Sequence, residues 1–570
     1  MQNSDKVVAD ERRGALGAPT LSGSLLALLF WWQSLTPSLI PRSWAMQTVI
    51  GAISLAIGYG IGTLARRGVH RLLEGRGRSP GNVLRRRGWI VLSAAWLVAI
   101  VLGATQWLGW QNQQRSFMGM ASVTWLDGVL ISALSPFAGL FLVVVGRVIA
   151  RGVAAGKQFI QGRVPTIVSV PATVLVVIGI ALGRGVAFRA LAAAANSVNA
   201  PRNEETTEGI VAPESSAVSG SPASLVAWNT LGRMGRDFVA TATSAQELAK
   251  FHGADAGLVA PVRVYVGLGS ADSAEQRAQL AVRELERAGG FDRKVLVVWV
   301  PTGTGWMVPK ATASLELLHR GDTAIVAIQY SFLPSHLAVF MDAGLANQAG
   351  LTLFNAVRAR WSQLPADRRP KLLLFGKSLG AEGVEVPFVG VDASSSVANM
   401  VTRTDGALIA GGEQRNPIHW QLTRERDRGS PFWQPIFDGG RSVRFLNRDP
   451  HQAALDAHWP APRIVYLQHP GDPAVFWTAK AFWWPPEWMA PPRGFDVPHA
   501  MRWFPIVSAV QAVGDLYNQL GIVPPGFGHD YSTEYVKGWA SVVPPDGWTD
   551  SDTKRLQQFI DKIHGDDSEP

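Results

Sequence analysis

Residues 371–380 read Lys-Leu-Leu-Leu-Phe-Gly-Lys-Ser-Leu-Gly, and Ala381-Glu382-Gly383 follow them. An apolar run that ends in Gly-x-Ser-x-Gly is typical of a buried strand, a sharp turn that carries the serine, and then a helix. Side chains at Gly376 and Gly380 would clash with neighbouring strands or with a substrate, whereas the turn exposes the hydroxyl of Ser378. The segment therefore predicts a nucleophilic serine on a strand-to-helix turn.

Two later segments supply partners for this serine. The apolar stretch 463–469 runs into Pro-Gly-Asp-Pro, which places Asp472 just beyond a strand, and His529 lies in a glycine-containing loop at 524–530. A serine hydroxyl is a poor nucleophile at neutral pH, so His529 would take its proton and Asp472 would orient and stabilise the imidazole. Serine, aspartate and histidine in this chain order are typical of an α/β-hydrolase triad.

Other residues remain candidates for the acid and the base. Glu413 follows the preceding strand and is an alternative acid, as is Asp496, while His469 and His499 are alternative bases. His529 is favoured because it comes late in the chain, lies beside glycines and precedes a predicted helix at 533–542.

An oxyanion hole is predicted from a second strand end. The apolar strand 294–300 is followed by Pro-Thr-Gly-Thr-Gly at 301–305. After such an elbow, one N–H donor belongs to the residue that follows the nucleophile, here Leu379. The other comes from the loop after an earlier strand, here Thr302 or Gly303.

The same glycines have other interpretations, which the sequence disfavours. No Gly-Lys-Ser/Thr follows residues 301–305, so a phosphate-binding P-loop is not expected, and Gly267-Leu268-Gly269 lacks the third glycine of a dinucleotide site. The chain has no cysteine, and its eleven histidines show no metal-binding spacing. We therefore expect no cofactor and no metal.

The first 190 residues are dominated by apolar stretches with no polar stripe. Several approach the roughly 20 apolar residues that cross a bilayer. Five candidate spans are predicted: Leu21–Leu35, Val49–Leu64, Ile90–Leu108, Val129–Val145 and Ile167–Leu182. The first two are the weakest, since one is short and runs into Thr36-Pro37 and the other is rich in glycine.

Arginines between the spans predict an orientation. Eight lie between the second and third spans (Arg66, Arg67, Arg71, Arg76, Arg78, Arg85, Arg86 and Arg87), and Arg147, Arg151, Lys157 and Arg163 lie between the fourth and fifth. The other two loops hold one arginine each, Arg42 and Arg115. The positive-inside rule then places everything after about residue 190 outside the cytoplasm. These loops supply much of the net charge of +9, so nucleic-acid binding is not expected.

The C-terminal half alternates strand and helix patterns. Strands are predicted at 262–266, 295–300, 323–329, 372–375, 406–410 and 463–467, with helices between them near 272–287, 311–319 and 344–361. Continuous apolar strands separated by helices favour a parallel sheet covered on both faces. Residues 196–222 are polar and lack an apolar period, which indicates a linker or an irregular segment.

A cluster of aromatic residues follows the proposed acid: Phe476, Trp477, Phe482, Trp483, Trp484, Trp488 and Trp503. Prolines interrupt the cluster, so it is not a simple helix. One interpretation is an apolar lid or acyl-binding wall near the membrane interface, where tryptophan is favoured. The other is ordinary packing of an insertion.

The elbow, the phrase Ser-Leu-Thr-Pro-Ser-Leu-Ile-Pro-Arg at 34–42 and the apolar N-terminus together resemble a bacterial membrane-anchored α/β-hydrolase family. The resemblance covers nearly the whole chain and implies a helical transmembrane domain at 1–190 and an α/β-hydrolase domain at 227–565. Residues 191–226 would link them. It also implies that Ser378 is the nucleophile.

The expected function is a serine esterase or lipase-like hydrolase on the outer face of a bacterial cytoplasmic membrane. Its partners would be the lipid bilayer and a lipid ester or acylated envelope component. Acyl transfer to an alcohol through the same acyl-enzyme is an alternative, and a non-catalytic membrane scaffold is another. A transporter is less favoured because the spans carry few internal charges.

Overall fold

The computed structural model describes residues 19–72, 82–161, 197–254, 257–334, 338, 343–449, 455, 458–519 and 521–565. These residues divide into two compact units. The first unit takes the described residues up to Val186, together with those of Trp477–Met489 and Val497–Pro524. The second unit takes the remainder.

The strands, in chain order, are β1 Val262–Val266, β2 Val295–Val300, β3 Thr323–Ile328, β4 Lys371–Lys377, β5 Gly406–Ala410, β6 Val443–Leu446 and β7 Arg463–Leu467. The helices are α1 Leu21–Ser34, α2 Trp44–Leu72, α3 Asn82–Phe117, α4 Trp125–Gln161, α5 Gly232–Ala240, α6 Ala245–His252, α7 Ala274–Arg287, α8 Pro309–Leu318, α9 Ala343–Ser362, α10 Leu379–Glu385, α11 Ala393–Arg403, α12 Pro417–Arg424, α13 Pro473–Phe476, α14 Val507–Asn518, α15 Tyr535–Val542 and α16 Asp550–Ile563.

The second unit is an α/β fold, as the sequence predicts. Its described strands form one parallel sheet in the order β1-β3-β2-β4-β5-β7-β6. Strands β1, β2, β3 and β5 are buried along their whole length because helices cover both faces of the sheet, which explains their continuous apolar runs. The six predicted strands are all present, within two residues at each end.

The register of the central strands brings the C-terminal ends of β2, β4 and β5 to one edge of the sheet. Val300 at the end of β2 lies opposite Gly376 of β4, and Lys377 at the end of β4 lies opposite Ala410 of β5. The strands are parallel, so the turns that follow them emerge together at the carboxyl edge. This edge receives the elbow and the loop at 301–308.

The described residues of the predicted linker, from 197 onward, belong to the second unit, where 197–204 are helical and the rest are irregular. Val218 forms an isolated bridge with Arg263 of β1 and is buried in the core. The carboxylate of Glu284 on α7 accepts hydrogen bonds from the hydroxyl of Ser224 (2.6 Å) and the N–H of Leu225 (2.9 Å).

Three described helices of the first unit are long and apolar enough to cross a membrane: Trp44–Val69, Val83–Phe117 and Trp125–Gly152. They contain the second, third and fourth predicted spans. The first predicted span corresponds to α1, which has 14 residues and is shorter than a bilayer-crossing helix. The fifth, Ile167–Leu182, lies outside the described residues.

A buried non-helical segment, residues 35–42, lies between α1 and α2, and polar side chains satisfy its backbone. Gln114 of α3 donates to the carbonyl oxygens of Ser38 and Leu39, both at 2.9 Å. From α14, Gln511 donates to the carbonyl of Thr36 (2.9 Å). Non-helical backbone among apolar helices needs such partners, because no water reaches it.

Helix α14 belongs to the first unit although it comes from the C-terminal part of the chain. Its Asp515 accepts hydrogen bonds from the Ser38 hydroxyl (2.7 Å) and the Leu39 N–H (2.9 Å). A side chain at Gly514 would meet Ile50 of α2 at 2.5 Å, so α14 packs closely on α2. The sequence did not predict that this part of the chain returns to the N-terminal helices.

Candidate active site

Ser378 is the single residue between β4 and α10, and its backbone has a conformation that few residues adopt. Its φ is 55° and its ψ is −121°, and its backbone N–H donates to the carbonyl oxygen of Ala410 (2.9 Å). A positive φ is strained for a residue with a side chain and is typical of functional turns. The hydroxyl does not cap α10, although Ser378 occupies the N-cap position, so it is not used by the helix.

The two glycines of the elbow are required by close backbone contacts. A Cβ atom at Gly376 would lie 2.3 Å from the carbonyl oxygen of Gly380. A Cβ atom at Gly380 would lie 2.2 Å from the carbonyl oxygen of Val300. A side chain at Gly380 would thus clash with the neighbouring strand β2, as the sequence argument expects, whereas one at Gly376 would clash within the elbow itself.

Asp472 and His529 are brought together, although 57 positions separate them. Asp472 follows β7 and is fully buried, and its Oδ2 accepts a hydrogen bond from Nδ1 of His529 (2.7 Å). An ionised carboxylate only accepts, so this contact assigns the proton to Nδ1 and leaves Nε2 as the basic nitrogen. That is the tautomer a catalytic histidine needs.

Asp472 has further donors that keep it ionised. Tyr531 donates its hydroxyl to Oδ2 (2.6 Å), and the N–H of Ala474 donates to Oδ1 (2.8 Å). Burial alone would raise the pKa of Asp472, but His529, Tyr531 and Ala474 together hold that pKa below its usual value. The carboxylate is therefore charged over the whole neutral range.

Tyr531 was not predicted from the sequence. It is fully buried, and its ring stacks on His469 with centroids 4.4 Å apart. Burial is the main cause that raises the pKa of the Tyr531 hydroxyl, and the neighbouring Asp472 carboxylate raises it further. The hydroxyl therefore keeps its proton and remains a donor. The only feature of the sequence that could indicate a role for Tyr531 is its position two residues after His529. That spacing is not specific to a residue that binds the acid.

The imidazole of His529 lies beside Gly411, the residue that follows β5, and so close to the elbow. A Cβ atom at Gly411 would be 2.6 Å from Cε1 of His529, and Gly411 follows Ala410, the residue that binds the Ser378 N–H. Nε2 of His529 is buried and has no hydrogen-bond partner among the described residues, Ser378 included. In ligand-free active sites the bond from base to nucleophile is often open.

The alternative acids do not bind His529. Glu413 pairs with Arg415 and is 23% exposed, and its pKa is raised mainly by burial. Asp496 is buried against Gly471, where a Cβ atom would lie 2.8 Å from Oδ2. Burial raises the pKa of Asp496 to about 6. Of the three carboxylates, only Asp472 has a hydrogen bond to the imidazole.

The alternative bases are placed differently. His469 is fully buried, with Nδ1 against the carbonyl oxygen of Gly528 (2.8 Å) and Nε2 against Glu534 (3.2 Å). Burial lowers the pKa of His469, but Glu534 and Asp496 outweigh burial and raise it to about 9. It is thus a charged structural residue beneath Tyr531. His499 is exposed and belongs to the first unit.

The predicted oxyanion donors lie at the same carboxyl edge. Leu379 is the first residue of α10, where backbone N–H groups have no partner within the helix. The N–H of Thr302 donates to the carbonyl oxygen of Trp306 at 3.3 Å, a long bond within its own loop, and Gly303 is buried beside it. Lys377 also faces this loop, with Nζ 5.1 Å from the centroid of the Trp306 ring.

The arrangement holds a strained serine, an ordered imidazole with a buried acid, and backbone donors at one edge of a sheet. Within the described ranges, no group of three or more residues is suited to a metal ion. This geometry suits nucleophilic attack on a carbonyl carbon followed by proton transfer.

Comparison with known proteins agrees with this fold. A family model described as an alpha/beta-hydrolase family matches residues 262–556, which is more than half of the chain. A second model, described as the N-terminus of an alpha/beta-hydrolase family, matches residues 35–242. No curated protein and no solved structure matches the chain.

Proposed function

The chain belongs to the alpha/beta-hydrolase family, and from that premise we propose that it is a membrane-anchored serine hydrolase that cleaves esters of lipids or acylated envelope components. One observation carries the proposal. Asp472 fixes His529 through Nδ1, and Nε2 is left unpartnered, among the described residues, at the strand end beside Ser378.

In the proposed reaction, Ser378 Oγ attacks the ester carbonyl carbon while Nε2 of His529 accepts its proton. The charged Asp472 stabilises the imidazolium that forms. The N–H groups of Leu379 and of Thr302 or Gly303 bind the oxyanion, each contributing about 3 kcal/mol of transition-state stabilisation. The alcohol leaves with the proton from His529, and water activated by the same imidazole releases the acid.

Membrane attachment rests on the three apolar helices of the first unit. The side is argued from charge: Arg66 and Arg67 lie near the C-terminal end of α2, whereas the segment 35–42 and α14 lie at its N-terminal end. The positive-inside rule assigns the arginine end to the cytoplasm. We therefore place α14, which the chain reaches only after β7, on the outer side.

Labelling with a fluorophosphonate tests the mechanism. Wild-type membranes should label at Ser378, and Ser378→Ala should not. Asp472→Asn should lose about 10⁴-fold in labelling rate because the imidazole loses its tautomer. Glu413→Gln is the matched control and should label like wild type. A folded wild-type protein that shows no labelling would contradict the proposal and favour a non-catalytic scaffold.

A probe that does not cross membranes tests the side. Intact cells should label as strongly as lysed cells. Labelling that appears only after lysis would place the site in the cytoplasm and would refute the orientation, while the hydrolase mechanism would stand.

A further inference from the structure

Lys377, the last residue of β4, is a largely buried lysine directly before the nucleophile. The residue as a whole is 8% exposed, its Nζ is not one of the fully buried atoms without a partner, and the ammonium lies 5.1 Å from the centroid of the Trp306 ring. The burial therefore belongs mainly to the aliphatic stem, while the ammonium keeps contact with solvent at the site, which is the usual arrangement of a lysine side chain.

Within the part of the chain that the structure describes, no carboxylate lies within 4 Å of the Lys377 ammonium. Lys310 of α8 provides a direct comparison. It is 4% exposed, and its ammonium pairs with Asp561 at 3.3 Å. The second unit thus neutralises one buried lysine with a carboxylate and offers the other only an aromatic face, which compensates a charge partially.

The position of the Lys377 ammonium ties it to the catalytic edge. Trp306, which it faces, accepts the N–H of Thr302 through its carbonyl oxygen (3.3 Å). Thr302 follows β2, which is paired with β4 through Val300 and Gly376. The cation therefore lies at the loop where the ester oxygen would bind, and next to the serine that attacks it.

We propose that Lys377 binds an anionic group of the substrate, a carboxylate or a phosphate carried by the ester. This inference rests on the proposed serine hydrolase function. The bound anion supplies the charge that the described residues do not, and the contact is a charge-assisted hydrogen bond. The substrate is then an acidic ester, with the negative group on its acyl side or its alcohol side.

Two pairs of esters separate these sources of the anion. On the acyl side, 4-nitrophenyl butyrate is compared with the mono-4-nitrophenyl ester of succinic acid. On the alcohol side, a monoacylglycerol is compared with the lysophosphatidic acid of the same acyl chain. The quantity measured is the ratio of kcat/KM for the acidic ester to kcat/KM for its neutral partner.

Lys377→Met keeps the length and the packing on Trp306 but removes the charge, and Lys377→Arg keeps the charge. In one of the two pairs, the ratio should fall about 10- to 100-fold in Lys377→Met, the loss expected for a hydrogen bond to a charged group. Lys377→Arg should retain most of the ratio. The pair that responds identifies the side that carries the anion.

An unchanged ratio in both pairs would overturn the proposal. If kcat/KM falls equally for the acidic and the neutral ester, the ratio is also unchanged, and the loss indicates a role of Lys377 in packing or at the oxyanion. Wild-type protein is labelled in parallel with a neutral fluorophosphonate. Labelling at Ser378 together with an unchanged ratio refutes only the role of Lys377. Absence of Ser378 labelling and of ester turnover refutes the hydrolase function and this inference with it.

Discussion

Replacing Tyr531 with phenylalanine removes one hydroxyl from beneath the acid–base pair. The ring of Tyr531 stacks on His469 and is fully buried, so phenylalanine fills the same space and the packing is preserved. Asp472 loses the donor at 2.6 Å and keeps His529 and the Ala474 N–H, and the His469 N–H loses its weaker acceptor at 3.4 Å.

The magnitude follows from the charge of the acceptor. A hydrogen bond to a charged group contributes about 1.5–3 kcal/mol, and no water reaches the buried Oδ2 of Asp472 to replace it. Tyr531→Phe should therefore lower the free energy of unfolding by that amount at pH 7. The imidazole is also held less firmly, and labelling of Ser378 should slow by about tenfold, equivalent to about 1.4 kcal/mol in the barrier.

The pH dependence has a definite sign. The pKa of Asp472 is lower in the folded protein than in an ordinary aspartate. Its contribution to stability is full above the ordinary pKa of about 4 and is lost as the pH falls through the lower, folded-state pKa. The stability difference between wild type and Tyr531→Phe should thus be constant from pH 5 upward and shrink below pH 4.

Tyr466→Phe is a matched control, because Tyr466 is also buried and donates to a carboxyl group, Glu385, at 3.0 Å. Burial raises the pKa of Glu385 to about 8, so this acceptor is neutral at pH 7 and the expected loss is about 0.5–1.5 kcal/mol. Its labelling rate should match wild type. Thermal unfolding and labelling rates are measured for both variants in detergent. Wild-type labelling by Tyr531→Phe, or an equal slowing in Tyr466→Phe, would refute the reasoning.

Three further results are expected. Glu385 keeps its proton in the folded protein up to about pH 8, so wild-type stability should fall from about pH 4.5 to 8 by up to about 1.4 kcal/mol per pH unit. Glu385→Gln should flatten that decline in thermal unfolding. An unaltered slope in this variant would contradict the prediction. Gly380→Ala should abolish labelling, since its Cβ would meet a backbone oxygen at 2.2 Å, while Gly344→Ala, in open space on α9, should label normally. Trp483 and Trp484 are 62% and 69% exposed, so replacing both with alanine should change the free energy of unfolding by less than about 1 kcal/mol. The double variant should hydrolyse bilayer lipids more slowly relative to soluble esters. Equal slowing on the two kinds of substrate would exclude an interfacial role.

The parts of the fold that depend on local pattern were predictable from the sequence. The apolar runs of β2, β4 and β5 give strand positions, because burial on both faces removes polar residues. Strand β6 was missed, because four residues that alternate between buried and half-buried positions leave no apolar run. The return of α14 to the N-terminal helices was also missed, since an apolar helix face does not identify the surface that it covers.

The candidate site divides in the same way. Ser378 was predictable because the elbow needs its glycines at fixed spacing. Asp472 and Glu413 both follow predicted strands and Asp496 does not, but sequence offers no distance to His529 by which to separate the three. Tyr531 was not predictable, because its role depends on a hydrogen bond that only the folded chain creates.

The chain enters the first unit at Trp477, five residues after Asp472, and leaves it for the last time after Pro524, so that the second unit resumes at Pro525, four residues before His529. The hydrogen bond between Asp472 and His529 therefore closes a long loop, and an unstructured loop of this length costs about 3.5 kcal/mol in chain entropy. Folding of the second unit must offset this entropy before Asp472 can orient the imidazole of His529.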